Sequence, residues 1–186
     1  QAAPRLRIIA HAAGSLRSVI DPEVLDLGIT VTHAAAGIAP MVGEMALALT
    51  LACLRRLTQQ DRVMKRDRRF GEEQRPAENM TLFGARVGLG GFGWTAKEFV
   101  KLLQPFRCEV VAYDPFVDAA AAAALGVRLV TLDELFRVSD VVSLHTPLIN
   151  ETEGLITGAL IDSLKSNATL INTARGLAKA LGLRLP

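Results

Sequence analysis

From Leu82 onward, short β-branched runs alternate with helical segments, and this alternation constrains the fold more than any other feature of the chain. Arg86 to Leu89, Cys108 to Tyr113, Val127 to Val130, Val141 to His145 and Ala168 to Asn172 read as strands. Between them, Trp94 to Leu103, an Asp118-capped run of alanines closed by Gly126, Leu132 to Arg137 and Ile156 to Leu164 read as helices. A strand that returns parallel to its predecessor needs a crossover long enough to hold a helix. The alternation therefore predicts an α/β fold with a doubly wound parallel sheet of Rossmann type.

The first segment is organised differently. Leu6 to Ala10 predicts a strand, followed by a turn of small residues, His11 to Ser15. Asp21-Pro22-Glu23 has the chemistry of a helix start, and Gly28 of its end. Ile29 to Thr32 predicts a second strand, and Val42 to Lys65 one long helix that acts as a strut between two domains. A polar stretch, Gly71 to Asn79 with Pro76, reads as a linker. Residues 1–80 are thus expected to be part of one domain together with the interdomain helix, and residues 81–186 a second, incomplete domain.

Charge excludes some partners. With 21 basic and 19 acidic residues the formal net charge is +2, too small for a field that would gather nucleic acid or an anionic membrane. The basic run from Arg62 to Arg69 lies among Asp61 and Asp67, as on a solvated helix end. The longest apolar stretch, Ala34 to Leu54, is interrupted by Gly37, Pro40, Gly43 and Glu44, and its clean part from Met45 is too short for a membrane span. Cys53 and Cys108 sit in apolar surroundings far apart, which predicts buried thiols in a reducing, cytoplasmic compartment. No cluster suggests a metal site. The chain begins with Gln1 and ends at Pro186 soon after Arg175, so truncation at both ends is expected.

Gly91-Phe92-Gly93-Trp94-Thr95-Ala96 fits G-x-G-x-x-[GA] between a strand and a helix. Gly91 permits the tight turn, Gly93 lets backbone approach a pyrophosphate, and Ala96 allows close helix packing. The amides of the following helix N-terminus suit the anion. Asp114 ends the next strand, where a carboxylate accepts hydrogen bonds from ribose hydroxyls and repels a 2′-phosphate, so NAD is expected over NADP. The alternative reading of Asp114-Pro115 is a simple turn. His145 ends another strand; it suits a cofactor wall better than a proton donor. His11 and His33 read as strand-exit residues. Arg175 follows the strand ending at Asn172, where a guanidinium can hold a carboxylate bidentately and polarise the neighbouring carbonyl; its alternative is a structural ion pair.

Leu82-Phe83-Gly84, the glycine turn, Tyr113-Asp114-Pro115, His145-Thr146-Pro147-Leu148 and Asn172-Thr173-Ala174-Arg175-Gly176 occur in the order and spacing of the D-isomer-specific 2-hydroxyacid dehydrogenases, which the chain resembles along essentially its whole length. Gly28-Ile29-Thr30-Val31 and Val42-Gly43-Glu44 extend the likeness into the first segment. The resemblance implies a flavodoxin-like substrate domain beside the NAD domain. It also implies pyrophosphate contacts from Trp94 and Thr95, a ribose contact from Asp114 and further cofactor contacts from Thr146 and Thr152. Thr173 and Ala174 would then lie beside the nicotinamide, with Arg175 the catalytic arginine. The reaction implied is reduction of a small 2-keto acid, of the glyoxylate or hydroxypyruvate class, to a D-2-hydroxy acid, or its reverse, in a homodimer. The family's acidic residue and acid/base histidine lie downstream of the Thr-Ala-Arg-Gly motif, so a chain without them is expected to be nearly inactive. Leu177 to Pro186 lacks the usual Val-Asp, Ile38 replaces a common Asn, and Ala34 a Thr found in some members. A non-catalytic, dimerising NAD-sensing module of the same fold is the competing reading, and an adenosylhomocysteinase-like enzyme a third, which the Thr-Ala-Arg-Gly segment disfavours.

Overall fold

A computed structural model describes residues 3–16, 19–21, 23–68, 81–147, 149 and 151–174 of the chain. The expected linker at 71–79, Arg175, Gly176 and the stretch to Pro186 lie outside the described residues.

In chain order the elements are β1 (Ile8–His11), α1 (Glu23–Asp26), β2 (Thr30–His33), α2 (Ala35–Leu54), α3 (Leu57–Asp67), β3 (Arg86–Gly90) and α4 (Trp94–Leu103). There follow β4 (Glu109–Tyr113), α5 (Ala119–Ala123), β5 (Val127–Leu129), α6 (Leu132–Val138), β6 (Val141–Leu144), α7 (Gly158–Asp162) and β7 (Thr169–Asn172). β1 and β2 form a small parallel pair. The remaining strands make one parallel sheet in the order β5-β4-β3-β6-β7. The chain runs outward from β3 to β5, then crosses to β6 on the other side, so the order reverses between β3 and β6. Such a switch point leaves a crevice at the carboxyl ends of the strands.

Each face of the sheet carries its own apolar layer. Val87, Leu89, Val110, Ala112, Val141 and Ile171 join α2, α4 and Ala122 of α5 in one core. Val142, Leu144 and Leu170 join Leu135 and Phe136 of α6 and Leu160 of α7 in the other. Alternate residues of one strand thus go to opposite layers, as pleating requires. On β3, Gly88 takes the place of a second-layer side chain. A Cβ there would lie 2.3 Å from Ser139 Oγ and 2.9 Å from Leu135 Cγ, so glycine lets α6 close onto the central strand.

The expected strut is two helices. α2 begins at Ala35 and runs through Pro40 to Leu54; α3 restarts after Arg56, whose φ of 48° is left-handed. Neither Gly nor Pro marks this break. The burial of α2 ends at Leu54, α3 buries no side chain, and the Gln60 side-chain amide donates to the Arg55 carbonyl at 2.9 Å. α2 is long and apolar enough to cross a membrane by length and composition, but Ala39, Gly43, Ala46, Thr50 and Leu54 form a buried face. It packs on α4 so closely that a Cβ on Gly43 would stand 3.1 Å from the Phe99 amide nitrogen. The helix expected over Ile156 to Leu164 is shorter as well. Thr157 Oγ1 accepts from the Leu160 amide and fixes the start, while Ser163 Oγ donates to the Leu160 carbonyl at 2.6 Å near the end. Burial of both thiols is corrected too: Cys53 is exposed and Cys108 half-buried.

Candidate cofactor site

Strand register puts the site together. Gly90 is level with Tyr113 on one side and with Leu144 on the other, and Leu144 is level with Asn172. The next residue along each strand, Gly91, Asp114, His145 and Thr173, therefore leaves the sheet in one row across its carboxyl edge. Four positions separated by up to 82 residues become neighbours through parallel pairing alone.

Gly91 has φ +89°, a region that disfavours any Cβ, and it is also squeezed. An added Cβ would stand 3.1 Å from both Thr146 Cγ2 and Thr146 N and 3.2 Å from the His145 carbonyl carbon. Hydrogen bonds pin both shoulders of the turn: the Gly91 amide donates to the Tyr113 carbonyl at 2.8 Å, and the His145 amide to the Gly90 carbonyl at 2.7 Å. Gly93 differs, because its added Cβ would meet nothing within 4 Å. It is the N-cap residue of α4 and no side chain caps the helix, so the first-turn amides have no capping side-chain acceptor and open room lies beside Gly93. Trp94 is exposed, Thr95 half-buried and Ala96 fully buried against the core. This geometry fits a pyrophosphate.

Asp114 has partners within the protein. Its Oδ2 accepts from the Phe92 amide at 2.8 Å and its Oδ1 from the Phe116 amide at 2.9 Å. Thr146 lies against Gly91 through its methyl carbon Cγ2 and its amide nitrogen. The Thr152 hydroxyl is turned into its own loop, accepting from the Ile149 amide at 2.9 Å and bonding to the carbonyls of Pro147 and Ile149. Beyond β7, Asn172 Oδ1 accepts from the Ala174 amide at 2.9 Å and bends the chain.

His145 stands at the centre of the row. Its Nδ1 is 3.4 Å from Thr173 Oγ1, and its ring tilts against Phe99 of α4 at 5.8 Å between centroids. Nε2 is buried with no partner among the described residues, as is Ser143 Oγ two positions earlier on the same face of β6. Burial lowers the imidazole pKa from 6.5 to about 4, so the ring is neutral at physiological pH. A group that resists protonation in this way suits a wall and a hydrogen-bond partner for Thr173 rather than a proton donor. Sequence reading alone missed this His145–Thr173 link, although the pairing of β6 with β7 implies it. His11 and His33 are level with each other on the small sheet, and His33 Nδ1 accepts from the Ala35 amide at the start of α2.

Residues 47–179 match the family described as D-isomer specific 2-hydroxyacid dehydrogenase, NAD binding domain. The chain belongs to this family. NAD is the cofactor of that domain, and the glycine turn, the uncapped α4 N-terminus and the Asp114 carboxylate fit it. The chain is 34% identical over 95% of its length to a D-3-phosphoglycerate dehydrogenase of Archaeoglobus fulgidus, of which it covers 33%. It is likewise 34% identical over 95% of its length to a hydroxypyruvate reductase of Thermotoga maritima, of which it covers 56%. A solved D-lactate dehydrogenase of Aquifex aeolicus, complexed with NAD and lactic acid, superposes with a TM-score of 0.78 at 32% identity, covering 93% of this chain and 51% of that one. The chain thus spans between a third and just over half of the length of these relatives.

Proposed function

We propose that the protein is part of an NAD-dependent oxidoreductase that reduces a small 2-keto acid of the glyoxylate or hydroxypyruvate class to its D-2-hydroxy acid, or runs the reverse. The row of Gly91, Asp114, His145 and Thr173 at the switch point of the sheet carries this reading, and the hydroxypyruvate reductase among its relatives supports the substrate class. Bound nicotinamide supplies the hydride. The chain's own residues bind and orient: the amides of Trp94 and Thr95 hold the pyrophosphate, Asp114 the adenosine ribose, and Thr146 and Thr152 the wall and loop over the dinucleotide. Thr173 and Ala174 flank the nicotinamide, with Thr173 held by the neutral ring of His145. Arg175 binds the substrate carboxylate and polarises the keto oxygen.

In this reading β1 and β2, with residues up to 80, belong to a flavodoxin-like substrate domain joined through α2 to the NAD domain of residues 81–186. A homodimer is supported by α2, which exposes Met41, Met45 and Leu49 at helical spacing on the side away from α4. Two free thiols without a disulfide among the described residues support a cytoplasmic setting.

Trp94 is the protein's single tryptophan and opens α4, so its fluorescence reports directly on the site. Titration with NADH should quench it saturably, NADPH should compete poorly, and Asp114→Ala should weaken the binding. Equal affinity for both cofactors, or none for either, would refute the assignment. Reduction of glyoxylate to glycolate and of hydroxypyruvate to D-glycerate, followed by NADH absorbance in the longer oxidoreductase that carries the downstream acid/base histidine, tests the substrate class. The competing reading, a non-catalytic NAD-sensing module, predicts binding with no turnover on either keto acid even in that longer protein.

A further inference from the structure

We propose that Asp114 is a positioning residue for the glycine turn, clamping the pyrophosphate cradle in place while its remaining lone pairs serve the ribose. This deepens the cofactor reading above and rests on it. A carboxylate has about four acceptor sites over its two oxygens. Here the Phe92 amide takes one on Oδ2 and the Phe116 amide one on Oδ1, leaving one on each oxygen for a diol. The two internal bonds have different ends. Phe116 fixes the carboxylate to its own strand exit, two residues away, whereas Phe92 is the middle of the glycine turn, 22 residues away in sequence.

Without that bond the Phe92 amide would be left unpaired in a turn whose side chain is buried to 1% exposure. The turn is held elsewhere by the Gly91–Tyr113 and His145–Gly90 backbone bonds, both on the strand side of Phe92. The segment that leads into α4, Phe92-Gly93-Trp94, depends on Asp114 for its anchor to β4. Phosphate binding and ribose binding are therefore coupled through one side chain. The same double pinning keeps the carboxylate from swinging aside for a 2′-phosphate, so discrimination against NADPH is built into the backbone of the turn as well as into charge.

Asparagine tests this because it is nearly isosteric but carries an NH2 in place of one oxygen. In either orientation that NH2 faces a backbone N–H, at Phe92 or at Phe116. Binding of NADH and of reduced nicotinamide mononucleotide, which lacks the adenosine ribose, is measured by Trp94 fluorescence in wild type, Asp114→Asn and Asp114→Ala. Asp140→Asn serves as control: at the opposite edge of the sheet Asp140 accepts from the Arg86 amide at 2.8 Å and from Lys165 Nζ at 2.7 Å, so the exchange likewise turns an NH2 toward one of two donors, away from the site. Thermal melts match the variants for stability, and amide hydrogen exchange follows Phe92.

The expected result is that Asp114→Ala, which has no acceptor for either amide, loses about tenfold or more in affinity for the mononucleotide as well as for NADH, while Asp114→Asn, which keeps one oxygen for Phe92 or Phe116, loses less. In Asp114→Ala the Phe92 amide also loses protection, while Asp140→Asn binds both ligands as wild type does. If Asp114→Ala loses NADH but keeps the mononucleotide within about twofold, or if its Phe92 amide stays protected, the clamp is wrong and Asp114 serves the ribose alone. A wild-type chain that binds neither ligand would overturn the cofactor reading and the clamp together.

Discussion

Acid should loosen this protein through His145 in particular, by an amount set by how its ring is buried. An imidazole with a pKa of 6.5 in the unfolded chain and about 4 in the folded one takes up its proton preferentially on unfolding. The unfolded state therefore gains as pH falls through 6.5, and the loss of stability levels off near pH 4, where the folded ring also protonates. Above about pH 8 the ring contributes almost no pH dependence. At pH 5 the unfolded site is almost fully protonated and the folded one about a tenth, so about 2 kcal/mol of stability is lost relative to pH 8. Against a total of about 5–15 kcal/mol for a domain, that is enough to shift a denaturation midpoint clearly. Urea unfolding of wild type and His145→Gln at pH 8 and pH 5 isolates the effect from other titrating groups. The variant is less stable at pH 8, because it gives up the Phe99 contact and the Thr173 partner, but its further loss on going to pH 5 should be smaller than wild type's by about 2 kcal/mol. Parallel losses in the two proteins would refute the reasoning, as would an NMR titration in which the His145 ring protonates near pH 6.5.

Gly88→Ala should destabilise the fold by about 1–3 kcal/mol in chemical denaturation, since its methyl group would overlap Ser139 Oγ and crowd Leu135. Gly91→Ala should cost a similar amount, about 1–3 kcal/mol, and also weaken NADH binding, because it combines a left-handed backbone with contact against Thr146. Burial raises the Cys108 thiol to about 11, so at pH 8 iodoacetamide should label exposed Cys53 first and Cys108 slowly, as read by mass spectrometry; equal rates would contradict its placement. If α2 forms a dimer contact, Met45→Glu should shift sedimentation to the monomer without moving the thermal midpoint by more than a few degrees.

Much of the architecture was legible in the sequence because local chemistry and tertiary demand agree there. Trp94 to Leu103 forms a helix at the expected bounds, since Gly93 precedes it as N-cap and Phe99, Val100 and Leu103 fall on one face. Asp118 accepts from the Ala121 amide as an N-cap should, and Gly126 closes the alanine helix region at φ +73°. The break in the helical strut at Arg55 and Arg56 was not legible. Both residues favour helix, and the chain turns there because the surface that α2 covers ends, a fact about α4 and the sheet rather than about residues 55 and 56.

The candidate site divides in the same way. Residue types at strand ends determined what chemistry was on offer: a glycine turn for a phosphate, a carboxylate for a diol, a histidine and a threonine for a wall. Parallel register alone decided that Gly91, Asp114, His145 and Thr173 share one row, since hydrogen bonding between distant strands sets neighbours that no spacing along the chain reveals. Burial beside Phe99 and behind Thr173 decided that His145 stays neutral, because its low pKa comes from removing water rather than from the identity of the side chain. The bond from the Phe116 amide is the turn that Asp114-Pro115 already suggested, whereas the folded glycine turn decided that the same carboxylate also takes the Phe92 amide, 22 residues away.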